Sequence, residues 1–243
     1  MRVINVEALD DLKLKGLKII QNDEYFKFGI DSVLLADFAK IRRNKTVVDF
    51  GTGNGVIPLL LYGRYEGIRI KGIELIKDLC ELADRNVRLN GLESFIEIIN
   101  GDIRKAIEIF GKGKTDYVVA NPPYLKGDGL LNDNEYKRIA RHELACTVRE
   151  LTTQAAGILR DGGIMYMVHR ANRLTDALYE MRTAGLEPKI LRFVAKNEKS
   201  APHIFLVKCM KNAKAGLVIR NTLYIYGSNG EYTGEIMEIY GHA

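Results

Sequence analysis

Five short apolar segments alternate with helix-like stretches through the middle of this 243-residue chain. They are "KTVVDFG" (45–51), "IRIKGIEL" (68–75), "FIEIINGD" (95–102), "TDYVVANPP" (115–123) and "GGIMYMVHR" (162–170). Parallel strands cannot be joined by a tight hairpin, so this alternation predicts a parallel sheet with crossover helices. "GVIPLLLYGRYEG" suits the first crossover, with Pro58 tolerable near its first turn. After the second segment, Ile76, Leu79, Cys80, Ala83 and Val87 recur at helical spacing, and Gly91 stops them. "ELACTVRELTTQAAGILRDGG" and "RANRLTDALYEMRTAGL" supply two more helices. Upstream, "IDSVLLADFAKIRR" reads as a helix with Asp31 and Ser32 as candidate N-caps. In the tail, "KILRFVAK", "HIFLVKCM", "GLVIRN" and "TLYIYG" read as consecutive strands, with "GSNGE" as a hairpin turn.

No repeat or low-complexity linker interrupts this order. The expectation is one domain, with 1–29 as an N-terminal extension, 30–211 as the core and 212–243 as a C-terminal β addition. No apolar run approaches the roughly 20 residues that span a bilayer, so no membrane association is expected. The start, "MRVINVEALDDLKLKG", does not read as a signal peptide. Cys80, Cys146 and Cys209 are odd in number and lack CxxC spacing, and the four histidines lack ligand spacing. A reducing cytoplasm, buried thiols and no metal are therefore expected. The net charge of +5 permits a polyanionic partner without requiring one.

In an open α/β sheet, ligands bind beyond the carboxyl ends of the strands. Four unusual clusters fall at four such ends, so the fold itself would bring them together. The first is "DFGTGNG", with Asp49, Gly51, Thr52, Gly53, Asn54 and Gly55. Its glycines let backbone approach a ligand closely, and its acid suits a cationic or amine-bearing ligand better than a pyrophosphate. Glu74 ends the second strand, where an acid can accept both hydroxyls of a ribose. At the third end, Asp102 can accept from an adenine amino group and Ile103 can offer an apolar face; Asp102 alone reads equally as a helix cap. The fourth is "NPPY", Asn121, Pro122, Pro123 and Tyr124, which holds two of the chain's five prolines. Two prolines stop a strand and leave a stiff frame.

With these motifs in that order, the chain resembles the S-adenosylmethionine-dependent methyltransferases that carry an (Asn/Asp)-Pro-Pro-(Tyr/Phe) motif and modify amino nitrogens. The likeness covers roughly residues 20–210. It implies a Rossmann-like class I methyltransferase fold: a mostly parallel seven-stranded sheet with helices on both faces. It also implies S-adenosylmethionine as cofactor, held by the residues at the first three strand ends. Within that group, "GLKIIQNDEYFKFGIDSVLLADFA" (16–39) and "IARHE" (139–143) look like the bacterial tRNA1(Val) adenine-N6 methyltransferases. That narrower likeness implies tRNA as partner and Lys27 and Phe28 closing over the methionine end of the cofactor. Phe28 reads equally as core packing.

The implied chemistry suits the motif. The lone pair of an adenine N6 is delocalised into the ring. The Asn121 side-chain carbonyl and the Pro122 backbone carbonyl are placed to accept its two N–H bonds, while Tyr124 stacks on the base. Other acceptors present the same NH2 geometry, namely guanine N2 of rRNA and the glutamine of a release factor. A non-catalytic RNA-binding module on the same fold is a further alternative, and a nicotinamide oxidoreductase fits the glycine loop but leaves "NPPY" unexplained. Arg42, Arg43, Lys45, Arg138, Arg141, Lys196 and Lys199 are candidates for tracking RNA phosphates, and His142 for touching substrate. Either a monomer or a homodimer is compatible with the sequence.

Overall fold

A computed structural model describes residues 7–22, 25, 28–122 and 146–241. Lys27, Pro123, Tyr124, Arg138, Arg141 and His142 lie outside the described residues. Strands β1 (Glu7–Asp11) and β2 (Lys18–Asn22) form an antiparallel pair of their own. Helix α1 (Ile30–Phe38) leads into β3 (Thr46–Phe50), α2 (Val56–Arg64), β4 (Arg69–Glu74), α3 (Lys77–Leu89) and β5 (Ile96–Asn100). Next come the short α4 (Ala106–Phe110) and β6 (Thr115–Ala120). Beyond the NPPY segment lie α5 (Val148–Ile158), β7 (Leu159–Arg170), α6 (Leu174–Thr183), β8 (Leu186–Ala195) and β9 (Ile204–Lys211), then β10 (Val218–Tyr224) and α7 (Gly234–Ile239).

The main sheet has the order β10-β8-β9-β7-β6-β3-β4-β5. β9 runs antiparallel to both neighbours and every other pairing is parallel. The mostly parallel sheet is as expected, but it has eight strands among the described residues where seven were expected. "GLVIRN" and "TLYIYG" merge into the single strand β10, which pairs with β8 at the sheet edge. The segment expected to be wholly β ends instead in α7. Thr233 caps that helix through its side chain, and Ile236 and Ile239, three apart, bury one face of it. "GSNGE" does turn the chain, joined by the Gly227 N–H bond to the Glu231 carbonyl.

Side-chain alternation along the strands feeds two apolar layers. Val47 packs with α1, α2 and α7 on one face, whereas Val48 and Phe50 pack with α5 and α6 on the other. Helices therefore cover both faces, and only the strand ends stay open to ligands. Cys80 and Cys209 are buried free thiols. The N-cap of α1 is Gly29, in extended backbone, and not Asp31 or Ser32. Both lie inside the first turn, which frees the Ser32 hydroxyl for a longer-range contact described below.

One glycine in the sheet bears directly on the strand ends. A Cβ on Gly72, in β4, would sit 2.7 Å from Thr52 Oγ1 and 2.9 Å from Thr52 Cβ. The strand thus leaves space for the side chain of the loop after β3. Gly72→Ala should destabilise the protein by about 1–3 kcal/mol through overpacking, read as a lower urea midpoint with an unchanged slope. An unchanged midpoint would show that Thr52 moves aside freely.

Candidate active site

The glycine loop follows β3 because Phe50, fully buried, ends the strand and Gly51 turns it. Gly51, Gly53 and Gly55 have φ of 74°, 57° and 84°, all in the left-handed region. Gly55 carries a second constraint, since a Cβ there would lie 3.3 Å from Ala83 Cβ on α3. At Gly53 a Cβ would meet nothing within 4 Å, and at Gly51 only Ile103 Cδ1 at 4.0 Å. The loop thus presents open backbone on its ligand side, with Ile103 brought up against it from the end of β5.

Asp49 is fully buried. Its Oδ2 accepts the Thr52 hydroxyl at 2.7 Å, while Oδ1 is buried with no hydrogen-bond partner among the described residues. Burial chiefly, with the neighbouring Glu74 charge adding to it, pushes the carboxyl up to about 7 against the Thr52 bond. Glu74 is 7% exposed, and each of its oxygens accepts a backbone N–H: Gly53 at 2.9 Å and Ile76 at 3.0 Å. Burial raises its pKa too, opposed by those backbone bonds. Glu74 is therefore first a latch between the loop and its own strand end. An ionised carboxylate has about four lone-pair sites, so the latch leaves room for ribose hydroxyls.

Asp102 behaves as the helix-cap alternative read from the sequence. Its Oδ1 accepts the Arg104 N–H at 2.9 Å, and the Arg104 guanidinium grips both oxygens at 2.6–3.0 Å. That pairing holds the carboxyl below its ordinary range. Arg104 is exposed, so the pair is a weak, exchangeable one. Phe28 is half-buried against the larger apolar cluster, and its N–H donates to Gln21 Oε1 at 3.2 Å. Packing accounts for it as described.

β6 lies beside β3, with Ala120 level with Phe50, so Asn121 emerges next to the glycine loop. Its Nδ2 donates to the Ser32 hydroxyl of α1 at 3.0 Å. The amide NH2 thus faces α1, and its carbonyl oxygen is directed elsewhere. Pro122 is buried behind it. The structure therefore gathers Asp49, the glycine loop, Glu74, Ile103 and Asn121 along one edge, with Asp102 at its far end.

Two residues of this arrangement escape sequence reading. Ser32 is one. Asn86, on α3 and fully buried, is the other. Its Nδ2 donates to the carbonyls of Asn54 and Ile20, and its Oδ1 accepts the Ile20 N–H at 2.7 Å. It ties the glycine loop to β2. The one signal was an amide within the apolar face that includes Ala83 and Val87. Among the basic candidates, Arg42, Arg43 and Lys45 lie at the amino edge, where Arg43 pairs with Glu66 and Lys45 with Asp116. Lys196 and Lys199 follow β8 at the carboxyl edge.

The protonation of Asp49 is testable. Its folded pKa, about 7, exceeds the ordinary carboxylate value of 3.8, so the folded state binds the proton more tightly. Its contribution is present below the unfolded pKa and is lost as pH rises towards 7. His169, whose burial lowers its pKa to about 4, acts with the opposite sign over most of that range, so the Asp49 part is read as a difference: between pH 4 and 7 the stability of the wild type should fall relative to that of Asp49→Asn. Equal slopes in parallel urea titrations would show that Asp49 is already ionised.

Residues 27–184 match the family model for the methyltransferase small domain. The chain is 28% identical over 219 residues to the tRNA1(Val) (adenine(37)-N6)-methyltransferase of Actinobacillus succinogenes, covering 88% of each protein. It is 30% identical to the protein of the same name from Tolumonas auensis, covering 70% of each. Among solved structures it resembles Agrobacterium tumefaciens protein Atu636, a predicted O-methyltransferase, at a TM-score of 0.71 and 18% identity. That alignment covers 87% of this chain and 96% of the other, a likeness of fold. The chain belongs to the methyltransferase small domain family.

Proposed function

We infer that this protein methylates the N6 amino group of an adenine in tRNA, with S-adenosylmethionine as the methyl donor. By the names of its relatives, the target is position 37 of tRNA1(Val). The observation that carries the reading is the position of Asn121. It stands one strand from the open glycine loop, with its amide NH2 engaged by Ser32.

The residues at the strand ends fit the cofactor. S-adenosylmethionine supplies, when bound, an electrophilic methyl group on a sulfonium. Gly51 and Gly53 offer backbone with no side chain in the way, and Ile103 an apolar surface beside them. The unpartnered Oδ1 of Asp49 suits a cationic ligand, directly or through water. Glu74 has lone pairs left for ribose hydroxyls, and Asp102 has them for an amino group in exchange with Arg104. Lys27 and Phe28 complete the proposed set at the methionine end.

Asn121 and Pro122 act on the acceptor. Their carbonyl oxygens accept the two N–H bonds of the target amine and draw its lone pair out of conjugation with the ring. The amine gains one carbon and loses one proton, which leaves to solvent. Pro122 and Pro123 have little φ freedom, so the acceptor frame is held before the amine arrives. Tyr124 supplies the stacking surface. An anticodon-loop base is already partly exposed, so extruding it costs less than opening a duplex.

The reading is tested by offering labelled methyl donor with tRNA, rRNA and release factor. Label in N6-methyladenosine of tRNA is expected; label confined to guanine or to protein would overturn it. Asn121→Ala should lower turnover at least 100-fold with cofactor affinity nearly unchanged, since it removes an orienting contact at the reacting atom. Ser32→Ala, which loosens the amide, should lower kcat roughly tenfold and leave both KM values alone, and Ser32→Thr should restore it. A normal kcat in Ser32→Ala would make that hydrogen bond incidental.

A further inference from the structure

Past Asn121 the carboxyl edge continues through β7, the strand next to β6. Helices α5 and α6 both begin at this edge and run back along the same face of the sheet. The start of α5 and the first two turns of α6 border an open cleft of about 400 Å³, lined by Thr147, Arg149, Arg173, Thr175 and Tyr179, with the carboxylates of Asp176 and Glu180. Nothing in the cofactor or acceptor chemistry above uses it.

Its side chains have a definite character. Tyr179 is 68% exposed, the most exposed large aromatic or aliphatic side chain among the described residues. Arg149 makes no ion pair among the described residues. Among the described residues Arg173 pairs only with Asp176, at 2.8 Å, and both are more than half exposed, so a phosphate competes for it easily. An aromatic face, guanidinium groups, hydroxyls and carboxylates in one cleft match the parts of a nucleotide. The ring stacks on a base, the arginines meet phosphate, and a carboxylate accepts from an exocyclic amine. Asp176 and Glu180 disfavour a bare phosphate ion, whose charge they would oppose.

We propose that the cleft between α5 and α6 binds a nucleotide of the RNA strand flanking the target adenine. The proposal rests on the RNA-methylation reading and adds to it a place where substrate is gripped away from the reacting base. Lys196 and Lys199, after β8 on the same edge, continue the cationic path. Arg42, Arg43 and Lys45, at the opposite edge, fall outside it.

The test is equilibrium binding of a tRNA1(Val) transcript over a range of salt, beside cofactor binding and methylation. Tyr179→Ala should weaken RNA binding about tenfold through loss of one stacking surface. Arg149→Gln should reduce the slope of log affinity against log salt by about 0.7–0.9, one phosphate contact. Neither exposed residue should alter the cofactor dissociation constant. Lys112→Gln, on the amino edge, should leave RNA affinity unchanged. If wild-type protein methylates tRNA while both cleft variants bind it with normal affinity and slope, the cleft proposal is overturned and the function stands. If wild-type protein neither binds nor methylates tRNA, the function fails and the cleft proposal with it.

Discussion

A single buried carboxylate organises the carboxyl edge. Glu74 takes one N–H from the glycine loop after β3 and another from the start of α3. Burying an acid is unfavourable unless its oxygens are bonded, so Glu74 and the loop stabilise one another. The loop is further held by Thr52 on Asp49 and by Asn86 on the Asn54 carbonyl. Backbone with three left-handed glycines would otherwise be free to rearrange. The resulting platform is rigid before any ligand arrives, which is the condition for catalysis by placement.

Polar groups at this edge fall into two kinds. Asn86 is engaged by the protein's own backbone and Ser32 by the amide of Asn121, so their part is to hold shape, while Glu74 holds the loop with lone pairs left over. Asp49 keeps a buried oxygen with no partner among the described residues. An uncompensated polar atom in the interior is unfavourable, and a cationic ligand beside it would offset that penalty. The edge is thus strained where cofactor is expected and satisfied where geometry must be kept. Asn121 joins the two kinds, since its NH2 end is bonded to α1 and its role is assigned to the opposite end of the amide.

Much of this was legible in the sequence, for a physical reason. Strands, crossover helices and the glycine loop come from local periodicity and from residues with special backbone freedom. The fold then forces strand ends together, so Asp49, Glu74 and Asn121 could be grouped without coordinates. What stayed hidden was long-range pairing. Ser32 read as a helix cap because its partner lies 89 residues away. Asn86 looked like an ordinary helix residue, and Glu74 gave no sign of its bond to Gly53. The tail was read as strands, but its pairing with β8 in the main sheet is a long-range contact, and α7 went unread because β-branched and aromatic residues dominate the tail while the Thr233 cap and contact with α1 and Arg64 select a helix at 234–239.

Glu74 holds the glycine loop and is proposed also to meet the cofactor, so both roles vanish with its carboxylate. Calorimetric titration of S-adenosylmethionine into Glu74→Ala measures this directly. The dissociation constant should rise roughly 10- to 100-fold, the loss of one or two charged hydrogen bonds. A dissociation constant equal to that of the wild type would contradict this double role.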